Sequence, residues 1–227
     1  MRSISLLGGE RSYCSLLAGS VGARALALGD GEPVEATADA PLEQGRARLE
    51  GELGPLEVAW SPAGPALGFA VDGATMSVHG IAASTTGPAA PASGPGVAWE
   101  LPDEGWSTIR TVWAVTARSE LLVLVALRPE GAREHGEELV GAARIAPREE
   151  PLEYVEPLLS TEYDGTGAHV RATLELWAEG AEIAERGAGR SVVAGGLATP
   201  YGRLEAARFA WGIDGEAAAG GYEILRA

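Results

Sequence analysis

One charged segment, RPEGAREHGEE (Arg128–Glu138), holds the densest group of side chains that can transfer protons or bind anions. It places His135 beside Glu137 and Glu138, and a histidine with a neighbouring carboxylate is a general acid–base pair at neutral pH. These three residues are our candidate catalytic residues. The alternative is structural, because the same side chains suit a charged loop that caps the end of a sheet with arginine–glutamate ion pairs.

Ligand-binding candidates come from this segment and from two further places in the second half. Arginine binds anionic groups through paired hydrogen bonds, and large aromatic rings line apolar cavities as well as cores. Histidine and tyrosine beside a tight turn can contact a ligand at a barrel rim. We name six residues: Arg128, Arg133, Tyr163, His169, Trp113 and Trp177. The alternatives are turn chemistry around Asp164 for the hairpin residues, and burial in the core for the tryptophans.

The sequence excludes several kinds of catalysis. No lysine is present and all 17 basic residues are arginine, so a Schiff-base lysine, a P-loop lysine and a Ser-Lys pair are ruled out. No Gly-x-Ser-x-Gly motif occurs. The single cysteine, Cys14, lies in an apolar segment, which predicts a buried and unreactive thiol. His79 and His169 lie far from His135-Gly136-Glu137, so we predict no metal site and no cofactor.

The stretch Leu158–Trp177, LLSTEYDGTGAHVRATLELW, predicts the hairpin that must position several of these residues. Its second half alternates strictly, with Val170, Ala172, Leu174 and Leu176 on one face and polar residues on the other, which is typical of a half-buried strand. Asp164-Gly165 supplies the positive φ that a tight turn needs. The sequence therefore predicts two antiparallel strands across this turn.

The rest of the chain repeats short strand patterns between turns. Arg46–Leu53 alternates charged with small or apolar residues, and Asp72-Gly73 separates two further strand patterns. The run LLVLVAL, Leu121–Leu127, predicts a strand that is buried on both faces. Helix signals are nearly absent. These patterns predict an all-β protein, as a barrel or a sandwich, with little helix.

One low-complexity stretch, AASTTGPAAPASGPG (Ala82–Gly96), interrupts the strand patterns. Its Pro, Ala, Gly and Ser composition is typical of a flexible linker or a long surface loop, and we favour the linker. The predicted organisation is thus an N-terminal β unit at residues 1–81, a linker or loop at 82–96, and a C-terminal β unit at 97–227.

Net charge and hydropathy limit which binding partners and which cellular compartment we expect for this chain. A net charge of -15 argues against a nucleic-acid binder, which needs a basic face. No stretch approaches the roughly 20 apolar residues of a membrane helix, and MRSISLLGGERS is too weakly apolar for a secretory signal. With one cysteine, no disulfide within the chain is possible. We expect a soluble cytoplasmic protein.

The second half resembles known proteins. The segments Arg128–Glu138 and Leu159–Trp177, with RLEAARFAWGIDG and GGYEILRA near the C-terminus, are similar to proteins of high-GC actinobacteria and to the group around hydroxyneurosporene synthase and AttH. That group has two lipocalin-like β-barrel units, and its best-known members hydrate or otherwise act on terpenoids. The resemblance covers roughly Arg110–Ala227. It implies two lipocalin-like units with an apolar cavity, and it transfers no catalytic residue.

These observations rank three functions. We expect the chain to bind a small apolar, isoprenoid- or lipid-like molecule in a β cavity lined by tryptophan and aliphatic side chains. The alternative is a hydratase- or isomerase-like enzyme on a terpenoid-type substrate, with His135 and Glu137 or Glu138 directed into a pocket. A structural or partner-binding module is third, and it would require an exposed apolar patch.

Overall fold

The structure is a computed structural model that describes residues 1–38, 45–71, 74–87, 93–102, 104–133, 137–146 and 150–227. These residues form seventeen β-strands in two antiparallel sheets, and none of them lies in an α-helix. The prediction of an all-β protein made of two antiparallel units is therefore confirmed.

The first sheet is a closed barrel of eight strands in sequential order. Pairing of the first strand with the eighth, from Arg2↔Glu100 to Leu6↔Gly96, closes it. Closure leaves no free strand edge within the barrel. The strands are β1 (Arg2–Leu7), β2 (Tyr13–Gly19), β3 (Gly22–Leu28), β4 (Val34–Ala38), β5 (Arg46–Gly51), β6 (Gly54–Val71), β7 (Ala74–Thr86) and β8 (Ser93–Glu100).

The second sheet has nine strands in the order β12-β11-β10-β9-β17-β16-β15-β14-β13. It curls so that Tyr154 forms a bridge with Ala178 and the Val155 amide donates to the Trp177 carbonyl. The strands are β9 (Trp106–Thr116), β10 (Leu121–Pro129), β11 (Leu139–Ile145), β12 (Leu152–Tyr154), β13 (Leu158–Tyr163), β14 (His169–Leu176), β15 (Glu185–Thr199), β16 (Gly202–Ile213) and β17 (Glu216–Arg226).

Three apolar clusters follow from the alternation along these strands. One fills the barrel with small and aliphatic side chains such as Ala25, Leu49 and Val58. The largest lies between the two sheets and includes Trp99 of the barrel and Trp113 of the second sheet. The third covers the other face of the nine-stranded sheet, which we call the inner face. The two sheets therefore share one core rather than touching only at their surfaces.

Strand structure at both ends of Ala82–Gly96 differs from the favoured prediction of a linker, and residues 88–92 between these ends lie outside the described residues. Ala82–Thr86 continue β7, and Ser93–Gly96 belong to β8, which pairs with both β7 and β1. Glycine has a packing role here, because a Cβ on Gly96 would collide with the Ser5 carbonyl of β1. Composition suggested a linker, whereas small residues allow the close approach of strands that closes the barrel.

Two predicted elements are confirmed, although the positive φ in the hairpin turn lies at Gly167 rather than at Asp164-Gly165. β13 and β14 form the expected hairpin, with Leu159 opposite Leu174, and the Asp164 side chain accepts from the Thr166 and Ala168 amides. Every residue of Leu121–Leu127 is buried, because β10 lies between the inter-sheet core and the inner face.

Candidate functional site

The charged segment Arg128–Glu138 begins in the last residues of β10, and the side chains of Arg128, Glu137 and Glu138 already have hydrogen-bond partners. Arg133 is exposed, and its backbone amide donates to the exposed Glu137 carboxylate at 2.9 Å. Glu138 is half-buried and forms a two-pronged ion pair with Arg110 of β9, including an Nε–Oε1 hydrogen bond of 3.0 Å. The Arg128 guanidinium donates to the Ala132 carbonyl. His135 lies outside the described residues.

The predicted ligand-binding residues separate into two regions. Tyr163 and His169 are opposite each other in the β13–β14 pairing, where Tyr163 is exposed and His169 is buried. Trp177 is half-buried just after β14 and donates to Glu175 at 3.2 Å. Trp113 is fully buried between the two sheets, where its indole stacks on Tyr13 and donates to the tyrosine hydroxyl at 3.3 Å. The hairpin thus brings Tyr163 and His169 together, and Trp113 lies apart from them.

An apolar cleft of about 340 Å³ lies between the two sheets. Its only polar side chain among the described lining residues is Ser119, and none of those residues is ionisable. Glycine residues leave space for the cleft, because a Cβ on Gly80 would lie 3.4 Å from the Leu121 side chain. The lining residues are Ala63, Gly64, Gly80, Ile81, Ala82, Pro95, Gly96, Val115, Ser119, Leu121, Ile145 and Ala146.

Sequence reasoning missed this cleft. Most of its barrel wall consists of Ala, Gly and Pro, the composition that suggested a linker at Ala82–Gly96. The sequence did contain a signal for the cleft. Val115 of β9 and Leu121 of β10 are apolar and alternate with inner-face residues, which indicates that the face of these strands turned towards the barrel is buried. A volume of this size lies at the lower end of the range for small-molecule sites, and its lining suits an apolar ligand.

A polar cluster occupies one end of the inner face. His169 Nε2 lies 3.0 Å from the Tyr222 carbonyl, which can only accept, so Nε2 carries the proton and Nδ1 has the lone pair. Nδ1 lies 4.0 Å from Glu205 Oε2. Glu205 in turn pairs with Arg226 at 2.6 Å and with Arg203 at 3.6 Å. We call His169, Glu205, Arg203 and Arg226 the His169 cluster.

Burial sets the protonation states around this cluster. It lowers the pKa of His169 below its ordinary value, against the opposing effects of the Tyr222 carbonyl and Glu205, so the ring is neutral near pH 7. Burial also raises the pKa of Tyr222, whose hydroxyl shares a 2.6 Å hydrogen bond with Thr161. A neutral imidazole beside a carboxylate can accept a proton, which is the chemistry of a general base.

A second buried polar group, Glu223, joins the two sheets. Its carboxylate accepts hydrogen bonds from Ser5 at 2.5 Å and from Tyr13 at 2.9 Å, across the interface between β17 and the barrel. Burial raises the pKa of this carboxyl. Gly221 makes room for the network, because a Cβ there would collide with the Tyr13 ring. Because its hydrogen bonds tie β17 to the barrel, the group is structural in character.

Three further features concern metal sites, membrane-spanning helices and exposed apolar side chains. Within the described part of the chain, no group of three His, Cys, Asp or Glu residues could hold a metal ion. The same part contains no helix that is long and apolar enough to cross a membrane. Several large apolar side chains are exposed near the β12–β14 contact, including Leu152, Val155 and Ile183. Leu152 and Ile183 line an open pocket of about 580 Å³.

Comparison with known proteins shows the fold and not the family. No protein-family model matches the chain, and no curated protein matches it. A crystal structure of a candidate AttH protein from Nitrosomonas europaea superposes with a TM-score of 0.62 at 12% identity, covering 99% of this chain and 92% of the other. Kievitone hydratase from Nectria haematococca gives 0.61 at 10% identity, covering 100% and 88%. The chain has the lipocalin-like, AttH-type fold.

Proposed function

We propose that this chain binds a small apolar molecule in the inter-sheet cleft. The observation that supports this function is the cleft itself, which is lined by Ile81, Val115, Leu121 and Ile145 and has no ionisable side chain among its described residues. Burial of apolar ligand surface contributes about 25 cal/mol per Å². An isoprenoid- or lipid-like fragment fits this lining. The AttH-type fold of the chain is consistent with a binding role.

The expected affinity follows from ligand size. A drug-sized ligand gains about 0.3 kcal/mol per non-hydrogen atom, so one of about 20 atoms binds with about 6 kcal/mol. That corresponds to a dissociation constant of tens of micromolar. N-phenyl-1-naphthylamine, an uncharged probe whose fluorescence rises in apolar surroundings, suits the cleft and should show saturable one-to-one binding in this range.

Two alanine variants on neighbouring strands form a matched pair for this test. Ala82→Trp places an indole in the cleft from an exposed lining position on β7 and should abolish saturable probe binding. Ala59→Trp adds the same ring at an exposed position of β6 that does not line the cleft, and should bind as the wild type does. Equal probe binding by both variants would contradict a ligand site in the cleft.

A hydratase-like enzyme is the second candidate, favoured by the shared fold with kievitone hydratase. In this function His135 would act with Glu137 or Glu138 as acid and base. Of the two carboxylates, Glu137 is exposed and Glu138 is held by Arg110, and neither lines the inter-sheet cleft. Native mass spectrometry of protein from its own host identifies a retained ligand. Incubating that ligand with fresh protein separates the two functions, because a hydratase increases its mass by one water and a binder leaves it unchanged.

A further inference from the structure

The His169 cluster contains more cationic than anionic side chains. Arg203 and Arg226 share the single carboxylate of Glu205, and the Arg203 side chain remains 63% exposed. In a chain of net charge -15, two guanidinium groups at one carboxylate are an unusual local concentration of positive charge. A guanidinium presents paired N–H donors whose geometry matches a carboxylate. The cluster therefore has capacity for a second, external anion.

One buried acceptor atom of the cluster, His169 Nδ1, has no hydrogen-bond donor within the described structure. It lies 4.0 Å from Glu205 Oε2, which is itself paired with the Arg226 guanidinium at 2.6 Å. His169 is only 1% exposed, so bulk water does not reach Nδ1. A buried acceptor without a donor is costly. A single proton between the two atoms would convert the repulsive contact into an imidazolium–carboxylate pair.

The sheet beside the cluster is open on its inner face. β14 pairs with β15 only as far as Arg190. Beyond Arg190, the residues of β15 that pair with inner-face residues of β16 are Ala194, Gly196 and Ala198, so these three lie on the inner face. Both alanines are exposed. Gly196 leaves room for the Arg203 guanidinium, which lies against it. A ligand can therefore approach the arginines across a surface that lacks large side chains.

We propose that Arg203 and Arg226 bind the carboxylate of a small organic acid on the inner face, and that the His169–Glu205 pair takes up one proton with it. The anion brings negative charge toward His169 and favours its protonated form. The groups that face His169 are Glu205 on β16, Arg226 and Tyr222 on β17, and Tyr163 on β13, and Arg203 lies behind Glu205 as its second partner. This site is separate from the inter-sheet cleft.

Isothermal titration calorimetry with benzoate tests the site, with benzamide as the uncharged analogue. Benzoate should bind in the millimolar range and benzamide should not. Titration at about pH 6 in two buffers of different ionisation enthalpy should report uptake of up to one proton per benzoate. The uptake should shrink with rising pH, because at higher pH the ring stays neutral in the benzoate-bound protein as well as in the free protein.

Arg203→Gln removes one guanidinium from an exposed position and should weaken benzoate binding about tenfold. Arg171→Gln is the matched control, since Arg171 is also an exposed arginine of the second sheet but lies on the opposite face. Absent benzoate binding, equal binding of benzamide, or binding without proton uptake would overturn the proposal. So would equal weakening by the two arginine variants. Ala82→Trp should leave benzoate binding unchanged, which separates this site from the cleft.

Discussion

Removing the Tyr13 hydroxyl from the hydrogen-bond network around Glu223 should lower the free energy of unfolding by more than the loss of one hydrogen bond. The Tyr13 hydroxyl donates to Glu223 at 2.9 Å and accepts from Trp113 at 3.3 Å. Tyr13→Phe keeps the ring that stacks on Trp113 but leaves the indole N–H without an acceptor and Glu223 with one donor fewer. A lost hydrogen bond costs about 1 kcal/mol, and a buried group left unpaired costs about 1–3 kcal/mol. The expected loss in the free energy of unfolding is about 2–4 kcal/mol.

Guanidinium chloride unfolding, followed by tryptophan fluorescence, measures this loss. With a slope of about 5 kcal/mol per molar, a loss of 3 kcal/mol lowers the midpoint by about 0.6 M. Tyr201→Phe is the comparison, because its hydroxyl also joins the two sheets through the Gly22 carbonyl at 2.9 Å but is only half-buried. Water can replace that bond, so its loss should be about 0.5–1.5 kcal/mol. A Tyr13→Phe variant within 0.5 kcal/mol of wild type would refute the network's contribution.

Three further outcomes follow from buried groups. Burial raises the pKa of Glu223, so its contribution to stability is complete below the ordinary carboxyl pKa and declines as pH rises toward the raised value. Glu223→Gln should therefore reduce the fall in unfolding free energy as pH rises above the ordinary carboxyl pKa, and an unchanged slope would contradict it. Gly96→Ala should destabilise the barrel by about 2–3 kcal/mol in thermal unfolding through collision with the Ser5 carbonyl, whereas Gly9→Ala, with open space around it, should not. Burial and Glu223 raise the pKa of Cys14 to about 12, so a thiol reagent should modify it only as fast as the protein unfolds, and rapid labelling of the native protein would disagree.

The fold was predictable where side-chain alternation and turn chemistry agree. The Leu158–Trp177 hairpin and the run Leu121–Leu127 were found because each has a pattern that only one strand environment satisfies. Ala82–Gly96 was interpreted as a linker because small residues carry no periodicity, and only the neighbouring strands β1 and β7 show why glycine is needed there.

The candidate site was predictable only in part, because its members are distant in sequence. Tyr163 and His169 were identified from the turn between them, but Glu205, Arg203 and Arg226 join them only through pairing of β16 with β17. Glu223 alternates with Tyr222 and Ile224, a pattern typical of a solvated face. Its burial follows from the barrel that covers it, which a strand pattern alone does not contain.

The shared core between the sheets has a consequence for how this chain can vary. β8 ends at Glu100 and β9 begins at Trp106, so a short segment tethers two sheets whose largest apolar cluster belongs to both. Either half expressed alone would expose Trp99 or Trp113 to water and lose its partner surface. We therefore expect the two units to unfold as one cooperative body. We also expect a substitution on one inter-sheet surface to change how much a substitution on the other surface alters stability.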